Sequence, residues 1–289
     1  MADIEIVCPI RNGGQNFAAT LRSLCAQRGA NRRILISDNF STDTQPWRET
    51  LAEMTGWNVR VVQPPEELGR VEHWSWACAQ SASEIIKPVM AGDQLEPTAL
   101  DQFEKAFDES PGCSFAFGQT RIREHDKELT VSPPCAAGEI ERDGFIELSL
   151  KHFNFTGTLS AVAFRGAALR GVLPFDSRWP WTADWRLLAD CCRKGPAFYI
   201  AAPVCVLDRT LGRYSSRTST IGPGLREEWK YLAELACERF PEQRCPLMWS
   251  RMKQMSQIAV AKYGRATLPA WLRKPLGACY RGIAQLLQR

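Results

Sequence analysis

Two short apolar runs near the N-terminus, Ile4-Glu5-Ile6-Val7-Cys8 and Arg33-Ile34-Leu35-Ile36-Ser37, each give way to a polar cluster. Pro9-Ile10-Arg11-Asn12 follows the first and Asp38-Asn39-Phe40-Ser41-Thr42-Asp43 the second. Runs of this length read as buried strands. Between them Phe17, Leu21, Leu24 and Cys25 recur at i, i+4, i+7 and i+8, the spacing of one buried helix face. The unit is therefore strand, helix, parallel strand. Ligands of such open sheets lie beyond the carboxyl ends of the strands, so both polar clusters are expected to line one crevice.

The alternation continues down the chain. Further strands are expected from Asn58 to Val62, Glu84 to Met90, Cys113 to Gly118, Leu159 to Phe164 and Ala197 to Leu207. Helical faces fall between them: Val71, Trp74, Ser75 and Cys78; Leu100, Phe103 and Phe107, opened by Pro97 in a first turn; and Trp181, Trp185, Leu188 and Cys192, closed by Gly195-Pro196. Strands alternating with helices imply the α/β class, a mostly parallel central sheet flanked by helices. Residues 121–153 are irregular, rich in charge and proline, and read as a crossover or flap over the crevice. Residues 212–220 read as a polar mobile loop, and helices follow to the C-terminus. Two domains are expected, residues 1–220 as the α/β body and 221–289 as a basic helical extension.

Charge sharpens the second of these. The net charge is +4, yet no acidic residue follows Glu242, whereas nine arginines and lysines do, so +9 in the tail leaves −5 for residues 1–242. Within the tail Leu276, Cys279, Tyr280, Ile283 and Leu287 repeat with helical spacing, giving a basic amphipathic helix that either packs on the main domain or docks on an anionic membrane surface. With 289 residues and 45% hydrophobic content the chain is globular. It has no apolar stretch of membrane-spanning length and runs from Met1-Ala2-Asp3 straight into a strand, so the cytoplasm is the expected location. The eleven cysteines are odd in number and lack a C-x-x-C pair, and Cys8, Cys25 and Cys78 fall at apolar positions, which favours buried free thiols. An acidic body without a nucleic-acid motif argues against nucleic-acid binding.

The polar clusters also carry a family likeness. Pro9-Ile10-Arg11-Asn12, Ser23-Leu24-Cys25-Ala26-Gln27 and Ser37 to Asp43 closely resemble the opening of the family 2 glycosyltransferases, which have the GT-A fold. Gly69 to Trp74 and Ala91-Gly92-Asp93-Gln94-Leu95-Glu96-Pro97 resemble that family's second block, which ends in an acidic metal-binding motif. Asn154 to Arg165 resembles its acceptor-side strand, and Thr182-Ala183-Asp184-Trp185 stands where its catalytic carboxylate lies. The resemblance spans about residues 4 to 210. It implies inverting transfer of a sugar from a nucleotide diphosphate donor, a UDP-sugar, to an acceptor hydroxyl, a hexosyltransferase-type activity of class EC 2.4.

Glycosyl transfer passes through an oxocarbenium-like centre and needs a base for the incoming hydroxyl and positive charge for the departing diphosphate. Asp184 is the candidate base; its other reading is a helix cap, a task for which Thr182 is also available. Asp93 is the candidate ligand for Mg²⁺ or Mn²⁺, although Gly92 and Met90 stand where the family often has further carboxylates, and Asp93 can equally begin a turn. Arg209, Arg213 and Arg217 are candidates for the diphosphate or are solubilising loop residues.

By the resemblance Asp38 contacts uracil or its equivalent, with Pro9, Arg11, Asn12, Asn39 and Arg70 around the same pocket. Trp181 and Trp185, together with Asn154, are candidates for the acceptor or donor sugar, whereas Trp74 belongs to the apolar helix stripe. His73, His125 and His152 show no metal spacing. A saccharide or lipid-linked acceptor, as in polysaccharide or cell-envelope synthesis, and peripheral attachment to the inner membrane face through the basic tail complete the expectation. A sugar-nucleotide-binding protein without turnover is the alternative, and a nucleotidyltransferase is disfavoured by the lack of a glycine-rich phosphate loop after the first strand.

Overall fold

The computed structural model describes residues 3–27, 33–208, 210 and 218–240. The expected opening unit is present: β1 (Ile4–Ile10), α1 (Gly14–Cys25) and β2 (Arg33–Asp38), with the two strands parallel and Ile10 opposite Asp38. All seven residues of β1 are buried, as befits a strand covered on both faces. One of them is Glu5, whose carboxylate meets Arg33 at 3.7 Å and Arg60 at 3.4 Å. The charge inside the apolar run is thus neutralised sideways across the sheet, by Arg33 of β2 and Arg60 of the edge strand β3 (Asn58–Val62).

The chain continues through α2 (Gln45–Ala52), β3, α3 (Arg70–Ala79), β4 (Ile85–Pro88), β5 (Asp93–Leu95), α4 (Ala99–Glu109), β6 (Phe115–Glu124), β7 (Lys127–Val131), β8 (Gly138–Ile140), α5 (Arg142–His152), a 3₁₀ turn at Leu159–Ala161, β9 (Val162–Arg165), α6 (Gly166–Arg170), α7 (Ala183–Cys191) and β10 (Ala197–Asp208). The ten strands make one sheet in the order β3-β2-β1-β4-β9-β6-β10-β5, with β7 on β6 and β8 on β10. Because β9 is antiparallel to both β4 and β6, the strands β1, β2, β3, β4, β6 and β10 all point one way. Their carboxyl ends share one edge.

Several expectations are corrected. The run from Glu84 to Met90 breaks after Pro88, and Gly92, at φ +91°, turns the chain into the short antiparallel β5. Residues 121–153 are not an irregular flap: they hold the end of β6, the strands β7 and β8, and α5. Leu159 to Ala161 forms a 3₁₀ turn rather than strand, and α4 starts at Ala99 with Thr98 as N-cap, which leaves Pro97 outside the first turn. Cys25, at the last position of α1, is exposed; Cys8 and Cys78 are buried free thiols, as expected.

Strand alternation sorts the core into two layers. Ile4, Ile6, Cys8 and Ile10 of β1 share a cluster with Phe17, Leu21 and Leu24 of α1, Trp47 of α2 and Leu100, Phe103 and Phe107 of α4. Phe17 and Trp47 meet edge to face at 5.8 Å. On the opposite face Phe115 and Phe117 of β6 pack with Phe145 of α5 and with Phe155. Contacts divide the chain into two units, residues 1–212 and 213–289. In the second, α8 (Thr218–Arg239) buries Tyr231, Leu232, Leu235 and Ala236. Of the expected loop at 212–220, residues 218–220 are instead the first residues of α8, and the remainder, like the tail helix beyond residue 268, lies outside the described residues. No helix among the described residues is long and apolar enough to cross a membrane.

Candidate active site

The carboxyl edge of the sheet assembles from loops that hold one another. Asn39 donates its backbone N–H to the Ile10 carbonyl at 2.9 Å, which carries the register of β1 and β2 one residue past the strands. Asp38, only 6% exposed, accepts from the Ser41 amide at 3.0 Å, and Ser41 Oγ in turn accepts from the Asn12 amide at 2.8 Å. Asn12 Oδ1 takes the Thr42 amide at 2.9 Å. The two polar clusters thus form one laced rim, and both contain a non-glycine residue in the left-handed region, Asn12 at φ 50° and Phe40 at φ 57°.

Not every residue expected around the nucleotide is available there. Pro9 is buried within β1, opposite Ser37, and presents no exposed side chain. Asn39 spends both amide atoms on Leu68, donating to its carbonyl at 2.8 Å and accepting from its N–H at 2.9 Å. That grip fixes the chain just before α3. Arg11 is exposed and ion-paired with Glu67 at 2.6 Å. Behind the rim, His73 of α3 and Ser37 of β2 share a buried hydrogen bond of 2.7 Å. Burial lowers the His73 pKa to about 4, against smaller opposing effects of Asp38 and Ser37, so the imidazole is neutral at pH 7. His73 lies on the buried side of α3, where Trp74 was expected; Trp74 is instead half-buried under the Arg70 guanidinium, 4.5 Å from its ring centre.

Asp93 opens β5 and is 1% exposed; its Oδ2 accepts from Thr158 Oγ1 at 3.1 Å. The strand order β2-β1-β4 separates the end of β4 from Asp38 by two strand spacings, roughly 10 Å. Sequence reasoning overlooked Lys87, one turn of chain earlier. It is fully buried on the α4 side of the sheet, where its ammonium donates to the Pro88 carbonyl at 2.8 Å and the Ser160 carbonyl at 2.7 Å and lies 5.3 Å from the Phe103 ring centre. Desolvation lowers its pKa to about 8, with Cys205, Cys8 and Asp93 pulling the other way. A lysine inside the apolar run Ile85-Ile86-Lys87-Pro88-Val89 was the available signal. Ser160 also accepts the Met90 amide at 2.9 Å, so the Thr158–Ser160 turn and the segment from Met90 to Asp93 are held together.

The chain reaches Asp184 by a traceable route. β9 runs antiparallel to β4 and delivers the chain to the amino edge. The following segment then climbs along α3: the Phe175 amide donates to Ser75 Oγ at 3.0 Å, and further up Arg70 donates to the Pro180 carbonyl. Since α3 begins beside Leu68, which Asn39 grips, Pro180 lies at the carboxyl edge. From there α7 returns to the amino edge, where Ala197 of β10 pairs with Phe115 of β6. Asp184, in the first turn of α7 and half-buried, therefore sits at the same edge as Asp38. Its Oδ1 accepts the Trp185 amide at 2.8 Å.

Two neighbours of Asp184 differ from expectation. Thr182 is the N-cap residue, but its hydroxyl accepts Arg186 Nε at 3.1 Å and makes no capping bond. Trp185 is 2% exposed and donates its indole N–H to Ser149 at 3.1 Å, so it belongs to the core and offers no ring face to a sugar. Trp181 is half-buried. Asn154 orders its own turn, donating to the Gly157 carbonyl at 3.2 Å and accepting from Thr156 at 2.8 Å. Arg209, Arg213 and Arg217 lie outside the described residues.

No group of three metal-ligating side chains occurs among the described residues. The lone Asp93 carboxylate suits an ion held chiefly by phosphate oxygens and water rather than by a protein cage. A cavity of about 310 Å³ lined by Gln102, Lys105, Glu109, Gly138, Phe198 and Tyr199 lies between α4, β8 and the first half of β10. Asp38, Asp93 and Asp184 are not among its lining residues.

The family model described as glycosyl transferase family 2 matches residues 5–163, more than half of the chain. No curated protein matches by sequence. Among solved structures, residues 1–349 of S. aureus TarS in complex with UDP-GlcNAc superimpose with a TM-score of 0.62 at 15% identity, over 94% of this chain and 85% of that one. The same TarS segment in complex with UDP gives a TM-score of 0.60 at 14% identity, over 95% and 86%. The mannosyltransferase PcManGT from Pyrobaculum calidifontis, in complex with GDP-Man and Mn²⁺, gives 0.59 at 14% identity, over 100% and 81%. At these identities the likeness is one of fold.

Proposed function

The chain belongs to glycosyl transferase family 2, and we propose from that premise that it transfers a hexose from a UDP-sugar to an acceptor hydroxyl with inversion, using Asp184 as general base. The observation that carries this reading is the route from Asn39 through Leu68 and Arg70 to Pro180, which brings the first turn of α7 to the edge where Asp38 ends its strand. The UDP and UDP-GlcNAc of one structural neighbour and the GDP-mannose of the other support a nucleotide-sugar donor.

In this reading Asp38 accepts hydrogen bonds from the base or ribose, and Arg11 and Asn12 face the same nucleotide from the neighbouring loop. The acceptor hydroxyl gives its proton to the Asp184 carboxylate as its oxygen bonds to the anomeric carbon. The carbon–oxygen bond to the diphosphate breaks on the opposite face, and its electron pair leaves with UDP. A divalent cation held by Asp93 and the diphosphate, as Mn²⁺ accompanies the mannosyltransferase neighbour, would supply Lewis-acid stabilisation of that leaving group. Arg70, whose guanidinium covers Trp74, and the half-buried Trp181 complete the proposed site. A saccharide or lipid-linked acceptor and attachment of the basic tail (221–289) to an anionic membrane belong to the same proposal.

The test is UDP release from a panel of UDP-sugars supplied with simple glycoside acceptors, with and without EDTA, followed by NMR of the product anomer. Turnover with inverted configuration is expected. Retained configuration sinks the assignment of a single general base, and donor binding without any turnover favours a sugar-nucleotide-binding protein.

A further inference from the structure

Phe40 is an aromatic residue that the fold holds without using. Its backbone lies at φ 57°, a region that a bulky side chain occupies only under strain, whereas glycine would occupy it freely. The side chain is 40% exposed, and its ring has no aromatic or cationic partner among the described residues. The strain is imposed from both sides. Asn39 is tied to Ile10 and Leu68, and Ser41 bonds to Asp38 through its amide and to Asn12 through its hydroxyl. Folding alone favours glycine or asparagine at this apex, because either removes the strain and the exposed apolar surface together. Strained backbone that the surroundings over-determine is a feature of binding sites.

The neighbouring chemistry indicates the occupant. Two residues before Phe40 is the Asp38 carboxylate, an acceptor for N–H or O–H groups at the end of β2. An exposed aromatic ring two residues along a tied loop from a buried hydrogen-bond acceptor suits a flat heteroaromatic ring that carries N–H groups on its edge. We propose that Phe40 is the stacking platform for the nucleobase of the donor, with Asp38 engaging the edge of the nucleoside and Phe40 its face. The inference rests on the nucleotide-sugar reading above and adds a residue to it. Because the loop backbone is already fixed, only the rotamers of the ring itself remain to be ordered when a base arrives.

Calorimetric titration with UDP and with inorganic pyrophosphate, which lacks the base, tests the proposal on the full-length protein. Phe40→Gly and Phe40→Asn are compared with wild type and with the conservative Phe40→Tyr. Loss of base stacking is expected to weaken UDP binding about ten-fold in the glycine and asparagine variants. Pyrophosphate binding stays unchanged, tyrosine restores UDP affinity, and the glycine variant melts at a temperature equal to or above that of wild type. A purely structural role would lower the melting temperature and leave the contrast between UDP and pyrophosphate unaltered. If wild type binds UDP and both ring-less variants bind it within two-fold, this inference alone is overturned, and Phe40 serves an outward contact instead. If wild type binds neither UDP nor GDP, the donor reading falls as well.

Discussion

Lys87 offers a quantitative test of how the edge around Asp93 is held. Its ammonium is fully buried and bonded to two carbonyl oxygens, Pro88 O and Ser160 O. Burial brings its pKa from 10.5 to about 8. Between those values the unfolded chain binds more protons at this site than the folded one, so stability rises with pH across that window. The displacement from 10.5 to about 8, at about 1.4 kcal/mol per unit, corresponds to about 3 kcal/mol in total. With a folded value near 8, about 1 kcal/mol of it is gained between pH 7 and pH 9.

Other groups act against this rise. Burial pushes the Cys8 and Cys78 thiols up to about 12, so above pH 9 the unfolded chain releases protons that the folded one keeps, and stability falls. Lys87→Met retains those thiols and fills the space with an apolar chain of similar length. Urea denaturation of both proteins at pH 7, 8 and 9 therefore isolates the lysine in the difference: wild type is expected to gain about 1 kcal/mol on the variant. Parallel pH profiles would refute a charged, desolvated Lys87. Because Ser160 and Thr158 hold the Met90–Asp93 segment, the same substitution is expected to slow sugar transfer more than it weakens UDP binding.

His73 behaves as the acid counterpart. Its folded pKa of about 4 lies below the ordinary 6.5, so stability falls as the pH drops from 6.5 towards 4, by about 3 kcal/mol at the limit, and His73→Gln should flatten that limb in denaturation series at pH 7, 5.5 and 4.5. Asn39→Ala removes both bonds to Leu68 and is expected to cost about 1–3 kcal/mol while slowing transfer, since the start of α3 carries Arg70; unchanged urea midpoint and unchanged rate would contradict the clamp. Phe17→Ala, which empties a fully buried site against Trp47, should cost about 3–5 kcal/mol, and a loss below 1 kcal/mol would place that helix face outside the core.

How far the sequence reveals the fold depends on how local the determining pattern is. The β1–α1–β2 unit was legible because two apolar runs and a helical stripe suffice to define it. Residues 121–153 were not, because β7 is an exposed strand whose alternation is masked by charge on both faces, and β8 is only three residues long. Within the candidate site, Asp38, Asp93 and Asp184 could be singled out by their positions in family-like motifs. What each neighbour does could not. Asn39 and Leu68 are 29 residues apart, Thr182 is claimed by Arg186, and the Trp185 indole finds Ser149, pairings that only the packed chain creates. Glu5 and Lys87 look like interruptions of strands until the cross-strand arginines and the Ser160 carbonyl are seen.

Asp184 is proposed to perform the chemistry at the edge where Asp38 and Asp93 are proposed to hold the donor. Its most direct test is UDP-sugar turnover by Asp184→Asn, with UDP affinity measured on the same preparation. A general base contributes a factor of about 10² to 10⁴, so turnover should fall at least 100-fold while UDP binds within two-fold of wild type. A folded Asp184→Asn protein that keeps most of its transfer rate would contradict a general-base role for Asp184.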